Sequence, residues 1–237
     1  ANDWNTYAAT IARAYIESVP ATMVAAEKVR KELRTAPPLD NWFSQKFSRD
    51  AKFWTTGNGE RIAGIRARIA ELELEPDVEA VALCELLEAA DRVDATCGQQ
   101  AAFLKYYPPR ALRPLELREL NVPSASPAGS VTQMEALKAA RCLEGDVAYL
   151  DAPYNQHSYL ANYHVWETLV LWDDPETYGV ANKRAGVRDR RSKFNSRKTH
   201  EDHLTKVIEA LKAPTVIVSR SNEAFTSAEA LESALSG

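Results

Sequence analysis

Two short apolar runs constrain the fold of this 237-residue chain more than any other feature. The runs are DVAYL at 146–150 and PTVIVS at 214–219, and segments with helical spacing of apolar residues precede and follow each of them. Compact apolar runs of this length are typical of strands that are buried on both faces of a parallel sheet. The order helix, strand, helix, helix, strand, helix therefore predicts an α/β fold with a parallel sheet.

The first hundred residues are predicted to be mostly helical. Apolar side chains recur on one helical face in residues 5–17, 21–33, 59–73 and 77–94. The paired prolines at 37 and 38 end the second of these helices, because proline cannot continue a helix. Further along, RPLELREL at 113–120 alternates apolar and polar residues, which predicts a strand, and SASPAGS at 124–130 predicts a flexible loop.

The composition excludes several classes of protein. No run of about 18 apolar residues is present, so we expect no membrane span, and the start lacks the pattern of a secretory signal. Three scattered cysteines, Cys84, Cys97 and Cys142, argue against a disulfide framework and fit packing roles in a reducing cytoplasm. The net charge of −4 excludes a chain that is basic throughout.

Positive charge is concentrated in residues 183–198, which we call the basic strip. The segment KRAGVRDRRSKFNSRK contains eight Lys/Arg and one acid. A local excess of this size on an otherwise acidic chain favours a loop that docks on a polyanion. A solvated loop without a partner is the open alternative.

The motif with the most chemical content follows the first apolar run. Asp151, Ala152, Pro153 and Tyr154 come directly after the predicted strand, and ligands bind at the carboxyl ends of strands in open α/β sheets. A carboxylate there accepts hydrogen bonds from amino groups, and the phenol ring offers a stacking face. Asp and Pro are also common in ordinary turns, so this tetrad alone leaves a simple turn open.

The residues around the tetrad extend the motif. The segment VAYLDAPYNQHSYLANYHVWETLV at 147–170 closely resembles the catalytic region of N6-adenine-specific DNA methyltransferases. In that family a buried strand is followed by Asp-Pro-Pro-Tyr, Asn, a polar loop with Tyr, Asn-Tyr-His and a helix. The matching residues are Asp151, Pro153, Tyr154, Asn155, Tyr159, Asn162, Tyr163 and His164. Weaker similarity covers residues 2–16, 103–117 and 216–231.

The resemblance implies a Rossmann-like methyltransferase fold and methyl transfer from S-adenosylmethionine to the exocyclic amino group of adenine in double-stranded DNA. Asp151 and the main-chain carbonyl of Ala152 would accept hydrogens from that amino group. Pro153 would be the rigid bend beside them, and Tyr154 would stack on the base after it is flipped out of the duplex.

The resemblance also implies a cofactor site. Asp3 matches the family's acidic residue that holds the ribose hydroxyls of S-adenosylmethionine. Phe103 and Lys105 belong to a segment predicted to line the same site, and Asp151 would border it.

The chain departs from the family pattern in two places. Ala152 stands where the family has proline, so the carbonyl is kept but the fixed φ angle is lost, and we expect reduced rather than abolished activity. The family's Phe-x-Gly-x-Gly cofactor loop has no counterpart, because Gly57-Asn58-Gly59 does not follow a buried strand and predicts a turn and helix cap. We therefore expect a fragment that lacks the first strand and the cofactor loop and that ends early.

By the same resemblance, residues 1–19 and 101–237 would form the catalytic core, and residues 20–100 a helical insertion for target recognition and DNA binding. The residues predicted to contact DNA are Asn155, Tyr159, Tyr163, His164, Arg188, Arg190, Arg191, Lys193, Arg197 and Lys198. Two alternatives stay open: a degenerate relative that binds DNA without methyl transfer, and an α/β protein whose tetrad is only a turn.

Two weaker signals concern other side chains. His200 and His203 are three residues apart on a predicted helix, a spacing that could share a metal ion. No third ligand is suggested, so surface or capping histidines are favoured and no metal is predicted. Asn222 and Glu223 follow the second apolar run and could border the site.

Overall fold

The structure is a computed structural model that describes residues 1–122, 129–187 and 189–236. Most of the predicted loop at 124–130 lies outside the described residues, as does Arg188. Within the described part, no helix is both long and apolar enough to cross a membrane.

Helices dominate the first half of the chain, and strands appear only in the second half. The first helices are α1 Thr6–Ile16, α2 Pro20–Leu33, α3 Trp42–Ser44 with a π-helical turn Gln45–Asp50, α4 Thr56–Glu71 and α5 Pro76–Asp91. The remaining elements are α6 Ala136–Cys142, β1 Val147–Leu150, α7 Tyr159–Asn162, α8 His164–Leu171, β2 Thr177–Tyr178, β3 Lys183–Arg184, α9 His200–Ala210, β4 Thr215–Val218 and α10 Ala228–Ser236. This order confirms the helical first hundred residues and the α/β class.

The periodic apolar positions of α4 form a buried face, as predicted. Ile62, Ile65 and Ile69 are at most 1% exposed, and the Thr55 hydroxyl caps the helix by accepting from Asn58 N at 3.3 Å. The Gly57-Asn58-Gly59 segment lies in the first turns of this helix. A Cβ on Gly59 would lie 1.7 Å from Ser48 Oγ, so only glycine allows this close approach. The Gly-x-Gly therefore belongs to the N-terminal part of α4, as expected for a helix start, but the cap itself is Thr55 and the segment is not a separate turn.

The predicted strand at 113–120 is wrong, although its alternation is real. Leu115 is half-buried and Leu117 is buried, whereas Glu116 between them is exposed, but the backbone bonds to side chains instead of to a neighbouring strand. Leu115 N donates to the Asn58 side chain at 3.1 Å, and Leu117 O accepts from Arg34 Nη2 at 3.0 Å. An alternating pattern reports one buried face, and it does not supply the partner strand that a sheet requires.

Aromatic rings fill the core of the helical region. Four are fully buried: Phe43, Phe47, Phe53 and Trp54. The Trp54 indole donates from Nε1 to Ala90 O at 2.9 Å, which satisfies its only polar group. Val165 and Leu169 of α8 belong to the same cluster of contacting residues. The predicted helical insertion and the predicted catalytic core therefore share one hydrophobic core.

The parallel sheet consists of β1 and β4, which pair with Ala148 opposite Val216 and Tyr149 opposite Ile217. One face packs on α6 and α9, where Leu150 contacts their buried cluster. The other face is open, since Val147 and Tyr149 are 57% and 63% exposed and Ile217 is 48% exposed. The expectation of strands buried on both faces is thus wrong, because no described element covers this second face.

Two polar side chains from the first half of the chain hold α8, the helix that follows the tetrad. Gln100 Oε1 accepts from Val165 N at 3.1 Å and from Trp166 N at 3.2 Å, which caps the first turn. Arg66, which is 5% exposed, donates to Leu169 O at 2.7 Å and caps the last turn. The helical region therefore fixes the position of the loop between β1 and α8.

Candidate active site

The tetrad lies at the carboxyl tip of β1, as the sequence predicts. Leu150 O accepts from Ser219 N at 2.8 Å, and Tyr154 O accepts from Phe225 N at 2.9 Å. These bonds join the segments that leave β1 and β4 and set the path of the tetrad between them. Asp151 is exposed, so its carboxylate is available to a ligand.

Two cavities adjoin at the tetrad. The first has a volume of about 440 Å³, and its lining includes Asp3, Trp4, Asp151, Ala152, Pro153, Tyr159 and Arg190. The second has a volume of about 290 Å³ and is lined by Gln99, Pro153, Tyr154, Asn155, His157, Tyr159 and Asn162. Pro153 and Tyr159 border both spaces. The tetrad region therefore lies where the two cavities meet.

Asp3 enters the first cavity from a segment far away in sequence. Its backbone N donates to Thr132 O at 3.3 Å, beside a parallel bridge between Asn2 and Thr132. Its carboxylate accepts from Asn5 N at 2.7 Å. Desolvation raises the pKa of this carboxyl, and the hydrogen bonds from Asn5 oppose the rise. Asp3 and Asp151 thus present two acidic groups to one cavity.

The other two predicted cofactor residues need correction. Phe103 packs edge-on against Phe53 at a centroid distance of 5.4 Å, in the helical core. Lys105 is exposed. Neither side chain lines the first cavity.

The loop after the tetrad is held by its own polar groups and by the basic strip. Asn155 Oδ1 accepts from His157 N at 3.0 Å. The Asn195 amide donates to Asn155 O and to His157 O, both at 2.9 Å. Asn155 and Tyr159 line the second cavity, where a base could enter. The contact between the two loops brings the basic strip next to the tetrad.

Two further residues predicted to contact DNA lie elsewhere. His164 is fully buried, and Nε2 of its ring lies 2.9 Å from Gln100 O. Desolvation lowers the pKa of the imidazole to about 4. Because the side chain is 0% exposed, it does not reach the surface, and this burial contradicts the predicted DNA contact. Tyr163 is half-buried, packing against Tyr7 at a centroid distance of 5.8 Å.

The cations of the basic strip divide into paired and exposed groups. Arg184 forms two bonds of 2.6 Å with Asp173, and Arg190 pairs with Glu167 at 2.9 Å. The exposed cations are Arg191, Lys193, Arg197 and Lys198. Arg197 also lies 4.9 Å from the ring of Phe225. Arg188, also predicted to contact DNA, is outside the described residues.

The two histidines of α9 form contacts with neighbouring protein groups. Both are buried, so of the two expected positions, surface or helix cap, the surface position is wrong. His203 Nε2 lies 2.8 Å from Glu135 Oε1, and His200 Nδ1 lies 2.8 Å from Phe194 O. Among the described residues, no group of three or more candidate ligands could hold a metal ion.

The remaining predictions concern two residues after β4 and the three cysteines. Asn222 and Glu223 are exposed and line neither cavity. Cys84 is buried and fits the packing role expected of all three cysteines, whereas Cys97 and Cys142 are exposed.

Comparison with known families decides the identity of the chain. Residues 1–229 match the D12 class N6 adenine-specific DNA methyltransferases. The chain belongs to this family. Membership confirms the resemblance carried by the tetrad region, and it overturns the alternative of an α/β protein whose tetrad is only a turn.

Individual relatives agree with this D12 assignment. The chain is 31% identical over 206 residues to the type II methyltransferase M.NlaIII of Neisseria lactamica, covering 83% of this chain and 60% of the relative. It is 30% identical over 201 residues to the type II methyltransferase M.FokI of Planomicrobium okeanokoites, covering 83% of this chain and 31% of the relative. The chain therefore spans only part of the length of these relatives. No solved structure matches it significantly.

Two residues that line the second cavity of this D12 family member were not predicted from the sequence. Gln99 comes from the end of the helical region, and no local sequence pattern marks it. His157 lies in the polar loop directly after the tetrad, so its closeness to the tetrad in sequence could have indicated it. Glu167 lines neither cavity, and the structure shows it buried with three hydrogen-bond donors.

Proposed function

We propose that this chain transfers a methyl group from S-adenosylmethionine to the exocyclic amino group of an adenine in double-stranded DNA, within a Rossmann-like fold. Support comes chiefly from one observation: the tetrad lies between two adjoining cavities of about 440 and 290 Å³. A transfer reaction needs donor and acceptor to meet at one point, and both spaces share Pro153 and Tyr159 there. Family membership gives the chemistry of the two ligands.

The first cavity offers acidic acceptors for S-adenosylmethionine, although the family's glycine-rich cofactor loop has no counterpart in this chain. The Asp3 carboxylate, raised in pKa by burial, is a strong acceptor for a pair of ribose hydroxyls. Asp151 and Tyr159 border the space beside it. When bound, the cofactor supplies a methyl group on positively charged sulfur, which is the electrophile of the reaction. The residues of the chain hold and orient it.

The second cavity fits the base that receives the methyl group. The Tyr154 ring would stack on adenine flipped out of the duplex. Asp151 and the carbonyl of Ala152 would accept the two hydrogens of the amino group and localise its nitrogen lone pair. The amino nitrogen would gain positive charge as it receives the methyl group, and the Asp151 carboxylate would stabilise that charge. The surplus amino proton would then pass to solvent at the exposed Asp151 and leave a neutral methylated base.

The exposed cations supply a surface for the duplex. Arg191, Lys193, Arg197 and Lys198 carry positive charge near the tetrad loop, and phosphate contacts of this kind give salt-dependent affinity. The names of the relatives, type II methyltransferase and modification methylase, support a role in restriction–modification.

The decisive experiment incubates the chain with duplex DNA and isotopically labelled S-adenosylmethionine and identifies the methylated nucleoside by mass spectrometry. We expect N6-methyladenine, and we expect Asp151→Asn to lower the rate by about 10²–10³-fold. Asp146→Asn is the matched control, because Asp146 is exposed at the opposite end of β1 and outside the cavity lining. Label in cytosine, or equal loss in the two variants, contradicts the proposal. DNA binding without methyl transfer would instead support the alternative of a degenerate relative that binds DNA but is inactive.

A further inference from the structure

Arg190 differs from its neighbours in the basic strip because its guanidinium is already engaged. Nη1 bonds to Glu167 Oε1 at 2.9 Å, and Nη2 donates to the carbonyl oxygen of Trp4. The guanidinium also lies 5.1 Å from the centre of the Trp4 ring, within the range of a cation–π contact. Arg191, the next residue, is exposed. Two adjacent arginines therefore face different surroundings.

Glu167 is the centre of this arrangement. Its side chain is 1% exposed, and each carboxylate oxygen has a donor. Oε1 accepts from Thr6 Oγ1 at 2.9 Å in addition to Arg190, and Oε2 accepts from Tyr7 N at 3.0 Å. Thr6 and Tyr7 are the first residues of α1, where a negative charge is favourable. A buried carboxylate with a full set of donors holds its neighbours firmly.

These contacts converge on the segment that carries Asp3. The Arg190 and Glu167 side chains fix residues 4, 6 and 7, so the chain is held immediately after Asp3. Glu167 itself lies on α8, whose position is set by caps at both ends. The same helix follows the tetrad loop. One ion pair thus connects the acidic end of the first cavity to the tetrad.

We propose that the Arg190–Glu167 pair positions the segment that carries Asp3 relative to the tetrad, so that the cofactor can bind between them. Arg190 then acts through the cofactor segment rather than on DNA phosphates, unlike Arg191. This inference rests on the proposed function, since it assigns the first cavity to S-adenosylmethionine.

The test compares Arg190→Ala with Arg191→Ala, two identical changes one residue apart. We expect Arg190→Ala to weaken S-adenosylmethionine binding, measured by calorimetry without DNA, by about tenfold or more. Its KM for S-adenosylmethionine should rise more than its kcat falls, and DNA affinity should stay within about twofold. Arg191→Ala should show the reverse, with weaker DNA binding and unchanged cofactor affinity.

A structural readout does not depend on activity. Hydrogen exchange at the Tyr7 amide should accelerate in Arg190→Ala and stay unchanged in Arg191→Ala, because this amide donates to Glu167. If Arg190→Ala fails to fold, the double variant Arg190→Gln/Glu167→Gln removes both charges together and avoids an unpaired buried carboxylate. Arg190→Lys should recover part of the cofactor affinity.

The outcomes separate the two proposals. Wild-type chain that binds no S-adenosylmethionine and transfers no methyl group overturns the proposed function. Wild-type chain that is active, with Arg190→Ala and the double variant both keeping wild-type cofactor affinity, overturns the positioning role alone. Loss of DNA affinity in Arg190→Ala without loss of cofactor affinity would also overturn the positioning role and would show that Arg190 contacts DNA phosphates.

Discussion

The helical region, residues 20–100, and the strand-tip region, residues 129–236, use the same kinds of side chain in opposite ways. In the helical region the large rings and two arginines, Arg30 and Arg66, are buried with partners. In the strand-tip region sheet residues such as Tyr149 are exposed, and four cations of the basic strip face solvent. The helical region therefore buries its aromatic and charged side chains against partners, whereas the strand-tip region leaves comparable side chains exposed to solvent.

The distribution of charged residues also differs between the two regions. The helical region contains eleven Lys/Arg and fourteen Asp/Glu, so it is not a basic surface overall. Several of its cations are held by acids, for example Arg30, which bonds to Glu85 at 2.6 Å. The predicted role of this region in DNA binding therefore has less electrostatic support than that of the basic strip, and it stays a prediction.

The largest difference between the regions should appear on removing an aromatic ring. Trp54→Ala, in the helical core, should lower the free energy of unfolding by about 3–5 kcal/mol, because it leaves a cavity and loses buried area. Tyr149→Ala, on the open sheet face, should change it by about 0.5 kcal/mol or less. Chemical denaturation measures both. Similar losses would mean that the open face is covered in solution.

The next largest effect is a pH dependence of stability that originates at His164. The unfolded imidazole binds a proton near pH 6.5, whereas the folded one does so only near pH 4. Its contribution is therefore fully present above pH 6.5 and is lost as the pH falls from 6.5 to 4, by about 3 kcal/mol. The measurement is the difference in unfolding free energy between wild type and His164→Phe across this window.

A difference profile is needed because Glu85 acts in the opposite direction. Burial raises the pKa of Glu85 to about 7, so its contribution is present at low pH and is lost as the pH rises from 4.5 to 7. His157→Phe, which changes an exposed imidazole of the strand-tip region, is the control. A flat difference between wild type and His164→Phe would mean that His164 is open to water.

The salt dependence of DNA binding tests which region meets the duplex. Replacing Arg191, Lys193 and Lys198 by alanine should lower the slope of log affinity against log salt by about 3. Between 50 and 200 mM salt this equals about 40-fold, or about 2 kcal/mol. The matched variant removes three exposed lysines of the helical region: Lys28, Lys31 and Lys52. Its slope should be unchanged, and a larger change there would reverse the assignment.

The smallest expected effect concerns the tetrad itself. Ala152→Pro restores the family's proline and should stabilise the fold by about 0.4–1 kcal/mol, because it restricts the unfolded chain. It should also raise the rate of methyl transfer by holding the carbonyl acceptor more firmly. Thermal unfolding and the transfer assay check the two effects. A destabilised variant would mean that the Ala152 backbone cannot adopt the proline φ angle or needs its N–H.

Sequence patterns succeeded where neighbours along the chain decide the structure. The buried isoleucines of α4 follow from spacing alone, since helical contacts are local, and the tetrad falls at a strand tip because the apolar run ends there. The predictions failed where a residue or strand distant in sequence determines the structure. The alternation at 113–120 needed a second strand that is absent among the described residues, and the site residue Gln99 comes from the end of the helical region.

The α/β class, the position of the tetrad after β1 and the concentration of positive charge after it can be inferred from residue order, because each depends on short stretches of chain. The burial of His164, the pairing of Arg190 with Glu167 and the presence of Asp3 and Asp151 at one cavity become visible only in the folded molecule. Burial and ion pairing depend on which distant side chains pack at a position. Residue type and spacing do not specify that.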